Sequence, residues 1–251
     1  MESSPRDFVY YRNDSLKRRA LASMRAYIKN KPEMDKTLER LITPYLAKGN
    51  PKVLDACCGI GHLTISLAQK FPNATFIGID QTPFLINEAK RLSRGLENVD
   101  FRNENIYGFS EKYPKSFDIS INWKTISWLP YYEDIMRELF GATKKAIFLS
   151  SLFYNGNIEF ITKVREWAIS PSPNQKGFDF YYNTYSLPKF MRFCKKNKAR
   201  KIKVHPFEIG IDLPRSNLDR MGTYTMKLID GERLQVSGCL VMNWKILEIL
   251  L

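Results

Sequence analysis

The chain has 251 residues, 44% of them hydrophobic and 26% charged, with a formal net charge of +13. This length predicts a single domain whose core needs no disulfide or metal to support it. The charge favours an anionic partner, such as nucleic acid, a phosphorylated or nucleotide-linked small molecule, an acidic carrier protein or an anionic membrane surface, although a lysine-rich solvated surface would give the same balance.

The cysteines and the N-terminal segment both indicate a cytoplasmic protein. No C-x-x-C pair occurs among Cys57, Cys58, Cys194 and Cys239, which disfavours a disulfide framework or zinc and favours a reducing compartment. The first 31 residues are too charged for a signal peptide, and no apolar run is long enough to cross a bilayer. Apolar residues at every fourth position predict an amphipathic helix over 14–30. Three roles are open for this helix: docking on the sheet, a lid over the ligand, or binding to a membrane surface.

The segment from Val53 to Thr64 is the most informative part of the chain. An apolar strand ends at Asp55, a turn with Gly59 and Gly61 follows, and an amphipathic helix begins, as in the first unit of a nucleotide-binding sheet. The glycines allow a ligand to approach the backbone closely. The next apolar strand ends at Asp80, whose carboxylate can accept hydrogen bonds from both hydroxyls of a ribose.

Two kinds of nucleotide ligand fit a loop of this type. The nicotinamide fingerprint G-x-G-x-x-G needs a third glycine, where this chain has Thr64, and Asp55 would repel a pyrophosphate. An acid at this position suits a cation such as S-adenosylmethionine (SAM). The order of Asp55, the glycine turn and Asp80 resembles the first two motifs of the class I SAM-dependent methyltransferases, except that Cys57 stands where the family has its first loop glycine.

The rest of the chain continues the alternation of strands and helices. Thr82 and Pro83 predict the start of a helix that runs to residue 94. Apolar segments predict further strands over 99–102, 117–122 and 146–151, with a helix ending near residue 140 before the last of them. The later segments predict a helix over 157–168, an aromatic patch over 178–182, a helix capped by Ser186, a strand over 202–211, a hairpin of 223–229 and 233–237, and a last strand over 241–249.

The resemblance implies an α/β fold with a doubly wound, seven-stranded, mostly parallel Rossmann-like sheet, an antiparallel last strand and an inserted substrate-side block. We expect one domain over 1–251, divided into an N-terminal helical segment or lid (1–48), a SAM-binding core (49–153), a substrate-side insertion (154–201) and late strands with a hairpin (202–251). The sequences 122–130, 151–154 and 237–244 look like a subgroup of small-molecule methyltransferases of polysaccharide and natural-product pathways.

The resemblance also implies roles for individual residues. The expected SAM-binding residues are Asp55, Cys57, Gly59, Gly61, Asp80, Gln81, Asn105, Ile106, Asn122 and Trp123. Among them Asp55 would neutralise the ammonium of the methionine part, Asp80 would hold the ribose, and Gln81 and Asn105 would lie at the adenine. The expected substrate-binding residues are Lys124, Trp128, Tyr154 and Tyr182, and no metal site is expected.

The predicted function is SAM-dependent methylation of a small molecule, O-directed to a sugar or natural-product hydroxyl, with S-adenosylhomocysteine (SAH) as the product. RNA or protein methylation, supported by charge alone, and a non-catalytic SAM-binding subunit are the alternatives. A hydroxyl acceptor requires a general base. His62, His205, Asp212 and Tyr154 are the candidates, and the sequence does not select among them.

Overall fold

The structure is a computed structural model that describes residues 14–166, 178–215, 223–237 and 240–251. The helices are α1 (Asp14–Lys29), α2 (Glu33–Leu46), α3 (His62–Lys70), α4 (Pro83–Leu92), α5 (Phe109–Lys112), α6 (Glu133–Ala142) and α7 (Leu187–Lys196). The strands are β1 (Lys52–Ala56), β2 (Thr75–Asp80), β3 (Val99–Asn103), β4 (Phe117–Trp123), β5 (Thr143–Ser151), β6 (Phe153–Tyr154), β7 (Lys163–Glu166), β8 (Phe178–Tyr181), β9 (Tyr185–Ser186), β10 (Lys201–Pro206), β11 (Thr223–Lys227), β12 (Arg233–Ser237), β13 (Leu240–Val241) and β14 (Lys245–Leu250).

Seven strands form the central sheet in the order β10-β14-β5-β4-β1-β2-β3. The five strands from β5 to β3 are parallel, whereas β14 runs antiparallel to both β5 and β10. The order reverses beside β1, so the carboxyl ends of β1 and β4 border a crevice of the kind in which open α/β sheets bind ligands. The predicted seven-stranded sheet with an antiparallel last strand is confirmed.

Apolar helix faces cover both sides of this sheet. On one side, α2 and α3 bury residues such as Leu38, Ile42 and Leu67 against β1, β4 and β5. On the other side, α6 and α7 bury residues such as Leu139 and Phe190. Ser186 caps α7 as predicted, because its Oγ accepts a hydrogen bond from the Lys189 backbone N–H. Thr82 lies at the start of α4 but makes no side-chain capping bond. Its hydroxyl instead bonds to Asp80.

The block that follows β5 differs from the prediction. The prediction of a helix over 157–168 is wrong for the part that the structure describes, since residues 163–166 form β7 and pair antiparallel with β8. A bridge between Phe160 and Thr184 extends this pairing. Residues 167–177, and with them the end of the predicted helix, lie outside the described residues. The apolar residues of a short segment do not distinguish a helix from a strand, and here a partner strand decides the outcome.

The late strands also have different bounds from those predicted. β10 ends at Pro206, five residues before the predicted end at 211. The predicted last strand is divided into β13, which pairs with β12, and β14, which enters the central sheet. The hairpin of β11 and β12 forms as predicted. Among the described helices, none is both long enough and apolar enough to span a bilayer.

One aromatic ring explains why two of the glycines are required. The ring of Phe101 lies where a side chain at Gly61 or Gly78 would be, and a Cβ built at Gly78 meets its Cδ1 and Cε1 atoms at 2.5 Å. A Cβ at Gly61 would meet its Cζ atom at 2.2 Å. Phe101 itself is buried. The Phe101 ring therefore packs directly against the backbone of both the glycine turn and β2, and only glycine leaves room for it at these two positions.

We expect Gly78→Ala to lower the free energy of unfolding by about 1–3 kcal/mol, because the added methyl group overlaps the Phe101 ring. Gly210→Ala is the matched control, since a Cβ there meets nothing within 4 Å, and its effect should stay within about 0.5 kcal/mol. Urea unfolding measures both. Adding Phe101→Leu to Gly78→Ala should recover part of the loss, and wild-type stability of Gly78→Ala would contradict this packing.

Candidate functional site

The candidate site lies at the carboxyl ends of β1, β2 and β4. The turn between β1 and α3 places Cys57, Gly59 and Gly61 in the left-handed region, with φ of 64°, 60° and 70°. Glycine adopts this conformation freely, but a cysteine does so only where the surrounding structure holds it. Cys57 therefore keeps the backbone path of a glycine turn at a cost in strain, which is a frequent feature of ligand-binding turns.

Asp80 connects the glycine turn to the end of β2. Its Oδ2 accepts a hydrogen bond from the Gly59 backbone N–H at 3.0 Å, and its Oδ1 accepts one from the Thr82 backbone N–H at 2.9 Å. Burial raises the pKa of this carboxyl above its usual value, against the effect of these bonds. A carboxylate oxygen that accepts one bond has capacity for another, so both oxygens can also accept from a ligand's hydroxyls.

Asp55 is a buried carboxylate with no cationic partner among the residues that the structure describes. It is 3% exposed at the end of β1, and the Thr64 hydroxyl donates a hydrogen bond to its Oδ2. Within the described part of the chain it forms no ion pair. Burial, with smaller contributions from the negative charges of Asp80 and Asp35, raises the pKa of Asp55 to about 7. A cation bound beside Asp55 would offset this unfavourable burial of negative charge.

Asn122 forms part of the floor of the site. Its Nδ2 donates to the Ala56 carbonyl at 3.0 Å, and its Oδ1 is buried without a hydrogen-bond partner among the described residues. The Cys57 side chain contacts the same amide. Burial raises the pKa of the Cys57 thiol well above its usual value, so this cysteine is protonated. Asn122 has no exposed surface and lies beneath the turn, whereas the sequence predicts it on the cofactor's open side.

The residues expected at the adenine lie together beyond β2 and β3. Asn105 Nδ2 donates to Gln81 Oε1 at 3.1 Å, and Asn105 Oδ1 accepts from the Tyr107 backbone N–H at 3.0 Å. Both amide side chains are exposed. Ile106 is buried in the core next to them. The two amides therefore form a polar edge beside Asp80 that can donate and accept hydrogen bonds.

Asp35 of α2 is a site residue that sequence reasoning missed. It is 1% exposed. Its carboxylate accepts hydrogen bonds from Trp123 Nε1 at 2.8 Å, Lys124 Nζ at 3.2 Å and His62 Nε2 at 3.1 Å. Although burial alone would raise its pKa, these donors lower it to about 2. The one sequence signal for it is an acidic residue on the apolar face of α2. The sequence predicts that Trp123 and Lys124 bind ligands, whereas in the structure both bind Asp35.

The N-terminal helix α1 lies against the glycine turn. The Met24 Sδ atom would be 3.6 Å from a Cβ at Gly59, and the Tyr27 ring centroid lies 5.3 Å from that of His62. Arg25 donates to Glu88 of α4 at 2.8 Å. Met24, Tyr27 and Arg25 thus place α1 across the turn, next to the position expected for a bound cofactor.

The residues predicted to contact substrate occupy three different environments. Lys124 is 29% exposed and remains at the crevice. Tyr182 is 4% exposed and packs against the Trp128 ring at a centroid distance of 4.8 Å, so its ring belongs to the core. Tyr154 is an exposed residue whose ring packs against Phe160. Of these four predicted residues, Lys124 and the partly exposed Trp128 lie on the loop that follows β4.

Among the residues predicted as general base, His205 and Asp212 lie away from the glycine turn. His205 Nε2 lies 3.1 Å from Glu248 Oε2 on the distant side of the sheet, between β10 and β14. Asp212 is exposed and accepts from Arg233 at 2.6 Å. Of the four candidates, His62 is the one that contacts the residues around the glycine turn, through Asp35.

We expect Asp55→Asn to stabilise the ligand-free chain above neutral pH. A carboxyl whose pKa is higher in the folded than in the unfolded chain favours folding below its unfolded value, and this contribution is lost as the pH rises through the folded value. For Asp55 the loss occurs between about pH 4 and about pH 7. At pH 8 the variant should therefore be more stable than wild type by about 1–4 kcal/mol.

Urea unfolding at pH 5.5 and pH 8 measures this difference, with the exposed Glu97→Gln as the control that should not change it. Equal effects of Asp55→Asn at the two pH values would show that Asp55 is not a destabilised buried carboxylate.

Comparison with known proteins identifies the family of this chain. The profile of a family described as a methyltransferase domain matches residues 47–183. Over 88 residues the chain is 33% identical to trans-aconitate 2-methyltransferase of Deinococcus radiodurans, covering 35% of this chain and 32% of that protein. Over 106 residues it is 27% identical to a ubiquinone biosynthesis O-methyltransferase of Pseudomonas fluorescens, covering 41% and 45%. The matched region thus spans less than half the length of these two relatives.

Solved structures share the fold over most of the chain. Magnesium protoporphyrin IX methyltransferase from Synechocystis, with bound SAH, superposes with a TM-score of 0.56 at 13% identity and covers 98% of this chain and 99% of that one. The N-terminal domain of EvdMO1 with bound SAH has a TM-score of 0.56 at 11% identity, covering 88% and 82%. With a family profile that matches more than half of its length, this chain belongs to the methyltransferase-domain family of SAM-dependent enzymes.

Proposed function

We propose that this chain transfers the methyl group of SAM to a hydroxyl of a small molecule. The observation that carries the proposal is Asp55, a buried carboxylate with a raised pKa and no cationic partner in the described part of the chain. The ammonium group of SAM would neutralise it, directly or through a water molecule. A pyrophosphate at the same position would add negative charge beside Asp55 and Asp80, which makes a nicotinamide dinucleotide a poor ligand.

The same edge of the sheet provides groups for the other parts of SAM. Gly59 and Gly61 hold the left-handed conformation of the turn beside which the methionine part would lie. Asp80, fixed by two backbone N–H groups, would accept from the ribose hydroxyls. Gln81 and Asn105 would bind the adenine edge, with Ile106 beneath it. SAM supplies a methyl group already activated by the sulfonium, so positioning of the acceptor provides much of the rate enhancement.

The segments that would surround the acceptor are bonded to one another, which favours a small substrate. The 3-10 turn Ile126–Trp128 after β4 is bonded to the block after β5, because the Asn183 backbone N–H donates to the Ser127 carbonyl at 2.7 Å. The single hydrogen of the Tyr185 hydroxyl is shared between the carbonyls of Ile126 and Leu129, at 3.0 and 2.9 Å from the hydroxyl oxygen. These bonds hold the block against the loop, while α1 lies across the glycine turn on the other side. The names of the two curated relatives likewise indicate small-molecule acceptors.

The charge and the cysteines support two finer parts of the proposal. Lys124, at the crevice, and the net charge of +13 would attract an anionic or nucleotide-linked acceptor. Cys57, Cys58 and Cys194 are all unpaired thiols, in keeping with a reducing cytoplasm.

We further propose that the whole chain acts as one domain around this site. Its four parts are the helices of 1–48, the core of 49–153, the insertion of 154–201 and the late strands of 202–251.

Asp80→Ala should weaken SAH binding about ten- to hundred-fold, because it removes charge-assisted bonds worth about 1.5–3 kcal/mol. Calorimetric titration of SAH against wild type and variant measures the loss. Asp100→Ala, which removes an exposed carboxylate from the neighbouring β3, is the control and should keep wild-type affinity. Equal affinity of Asp80→Ala and wild type would contradict the ribose assignment.

Release of SAH from SAM in the presence of different acceptors tests the function itself. The panel should contain phenols and catechols, sugar nucleotides, small polycarboxylates, tRNA and a lysine-rich peptide. We expect turnover with a small hydroxyl compound, faster when that compound is anionic, and none with tRNA or peptide. Turnover confined to tRNA or to the peptide would overturn the proposal, as would the absence of SAM binding.

A further inference from the structure

His62 and Asp35 form a carboxylate–imidazole pair at the start of α3. The Asp35 carboxylate is ionised at neutral pH, since its pKa is held at about 2. It can therefore only accept the hydrogen bond that joins its Oδ2 to His62 Nε2 at 3.1 Å. The hydrogen of a neutral His62 imidazole then lies on Nε2, and Nδ1 carries a free lone pair. No described residue hydrogen-bonds to Nδ1.

The pair is held rigidly on the side of Asp35. Trp123 Nε1 and Lys124 Nζ both donate to Oδ1 of the carboxylate, so the carboxylate cannot rotate away from His62. The Tyr27 ring packs beside the imidazole at a centroid distance of 5.3 Å. The His62 side chain is 19% exposed while Asp35 is 1% exposed. The imidazole thus remains partly accessible although its partner is fully enclosed.

The pair lies next to the proposed cofactor and acceptor sites, so its role is not confined to packing of the core. His62 directly follows Gly61 of the glycine turn, and Trp123 and Lys124 directly follow Asn122 at the end of β4. The pair therefore lies between the turn proposed to bind the methionine part and the loop proposed to hold the acceptor. A buried ionised cluster costs desolvation energy that an apolar contact would avoid, so stability alone does not account for it.

We propose that His62 is the general base of the methyl transfer and that Asp35 is its positioning residue. This inference rests on the proposed function. As the acceptor oxygen bonds to the methyl carbon, its O–H proton passes to His62 Nδ1, and the carbon–sulfur bond breaks with its electron pair going to sulfur, which leaves SAH. The imidazolium, stabilised by Asp35, later releases its proton to water. Asp35 has the role of the carboxylate in a catalytic triad, which fixes the tautomer and orientation of the imidazole.

The charged and titratable groups around His62 act on it from three elements. Asp35 faces it from α2, Tyr27 from α1, and Lys124 from the end of β4, where its Nζ lies 5.5 Å from the Tyr27 ring centroid. Lys124 balances the charge of Asp35 while His62 is neutral. When His62 takes a proton, Asp35 becomes the bonded counterion of both cations.

Nitrogen-15 NMR of the histidine side chains tests the inference without a known acceptor. The chain has two histidines, and a His205→Gln variant assigns their signals. Three probes are compared: SAH, sinefungin, which carries an amine in place of the transferred methyl group, and methylthioadenosine, which lacks the amino-acid part. In the neutral form of His62 we expect the proton on Nε2 and none on Nδ1. We expect the Nδ1 signal to move with sinefungin and to stay in place with SAH.

Each other outcome contradicts the inference. An equal response to SAH and sinefungin, absent with methylthioadenosine, would assign His62 to the carboxylate of SAM. No response to either ligand, although both bind, would make the pair purely structural. If neither ligand binds, the proposed function fails, and the inference fails with it.

Kinetics with a hydroxyl acceptor give a second measurement. His62→Asn should lower kcat about 10²- to 10⁴-fold, remove the acidic limb of the pH profile of kcat/KM, and leave the affinity for SAH within about twofold. Asp35→Asn should shift the same limb and, in the NMR spectrum, populate both tautomers of His62. An unchanged pH profile in His62→Asn, or a loss of SAH affinity equal to the loss of kcat, would contradict the role as base.

Discussion

A buried carboxylate with no cation among the described residues is the constraint on which the rest of this site depends. Asp55 lies at the carboxyl end of β1, between β4 and β2 in the sheet. Its neighbours Asp80 and Asp35 add to the unfavourable potential. The parallel sheet supplies the position, because β1, β2 and β4 all end at this edge. A fold that keeps three carboxylates so close in a desolvated crevice favours a cationic ligand. SAM, with its ammonium and sulfonium groups, satisfies that requirement, and a dinucleotide does not.

The N-terminal helices are coupled to this edge through a second carboxylate. Asp35 joins α2 to the start of α3 and to the end of β4 by three hydrogen bonds, while α1 contacts the glycine turn through Met24 and His62 through Tyr27. The enclosure of the site thus depends on polar contacts that also orient its chemistry. Two buried carboxylates thus have different roles, which follow from their donors. Asp55, bonded to a neutral hydroxyl, provides the negative potential for a cation, whereas Asp35, bonded to Trp123, Lys124 and His62, orients the imidazole.

The strand-loop-helix pattern was sufficient to predict the sheet, the glycine turn and the family, because these follow from local periodicity and from two acids at strand ends. The Asp35 cluster could not be predicted, since its members are separated by up to 89 residues and meet only through the packing of α2 on the sheet. For the same reason the sequence predicts substrate contact for Tyr182, whose ring packs in the core, and a helix where the structure has β7. Its β conformation depends on a partner strand that the local sequence does not specify.

A crystal structure of the chain with SAH tests the central claim most directly. The account predicts that the ammonium group lies within hydrogen-bond reach of Asp55, directly or through one water molecule, and that both ribose hydroxyls bond to Asp80. It also predicts that the sulfur faces the gap between the glycine turn and the end of β4. SAH bound elsewhere, or bound with its carboxylate rather than its ammonium toward Asp55, would contradict the account.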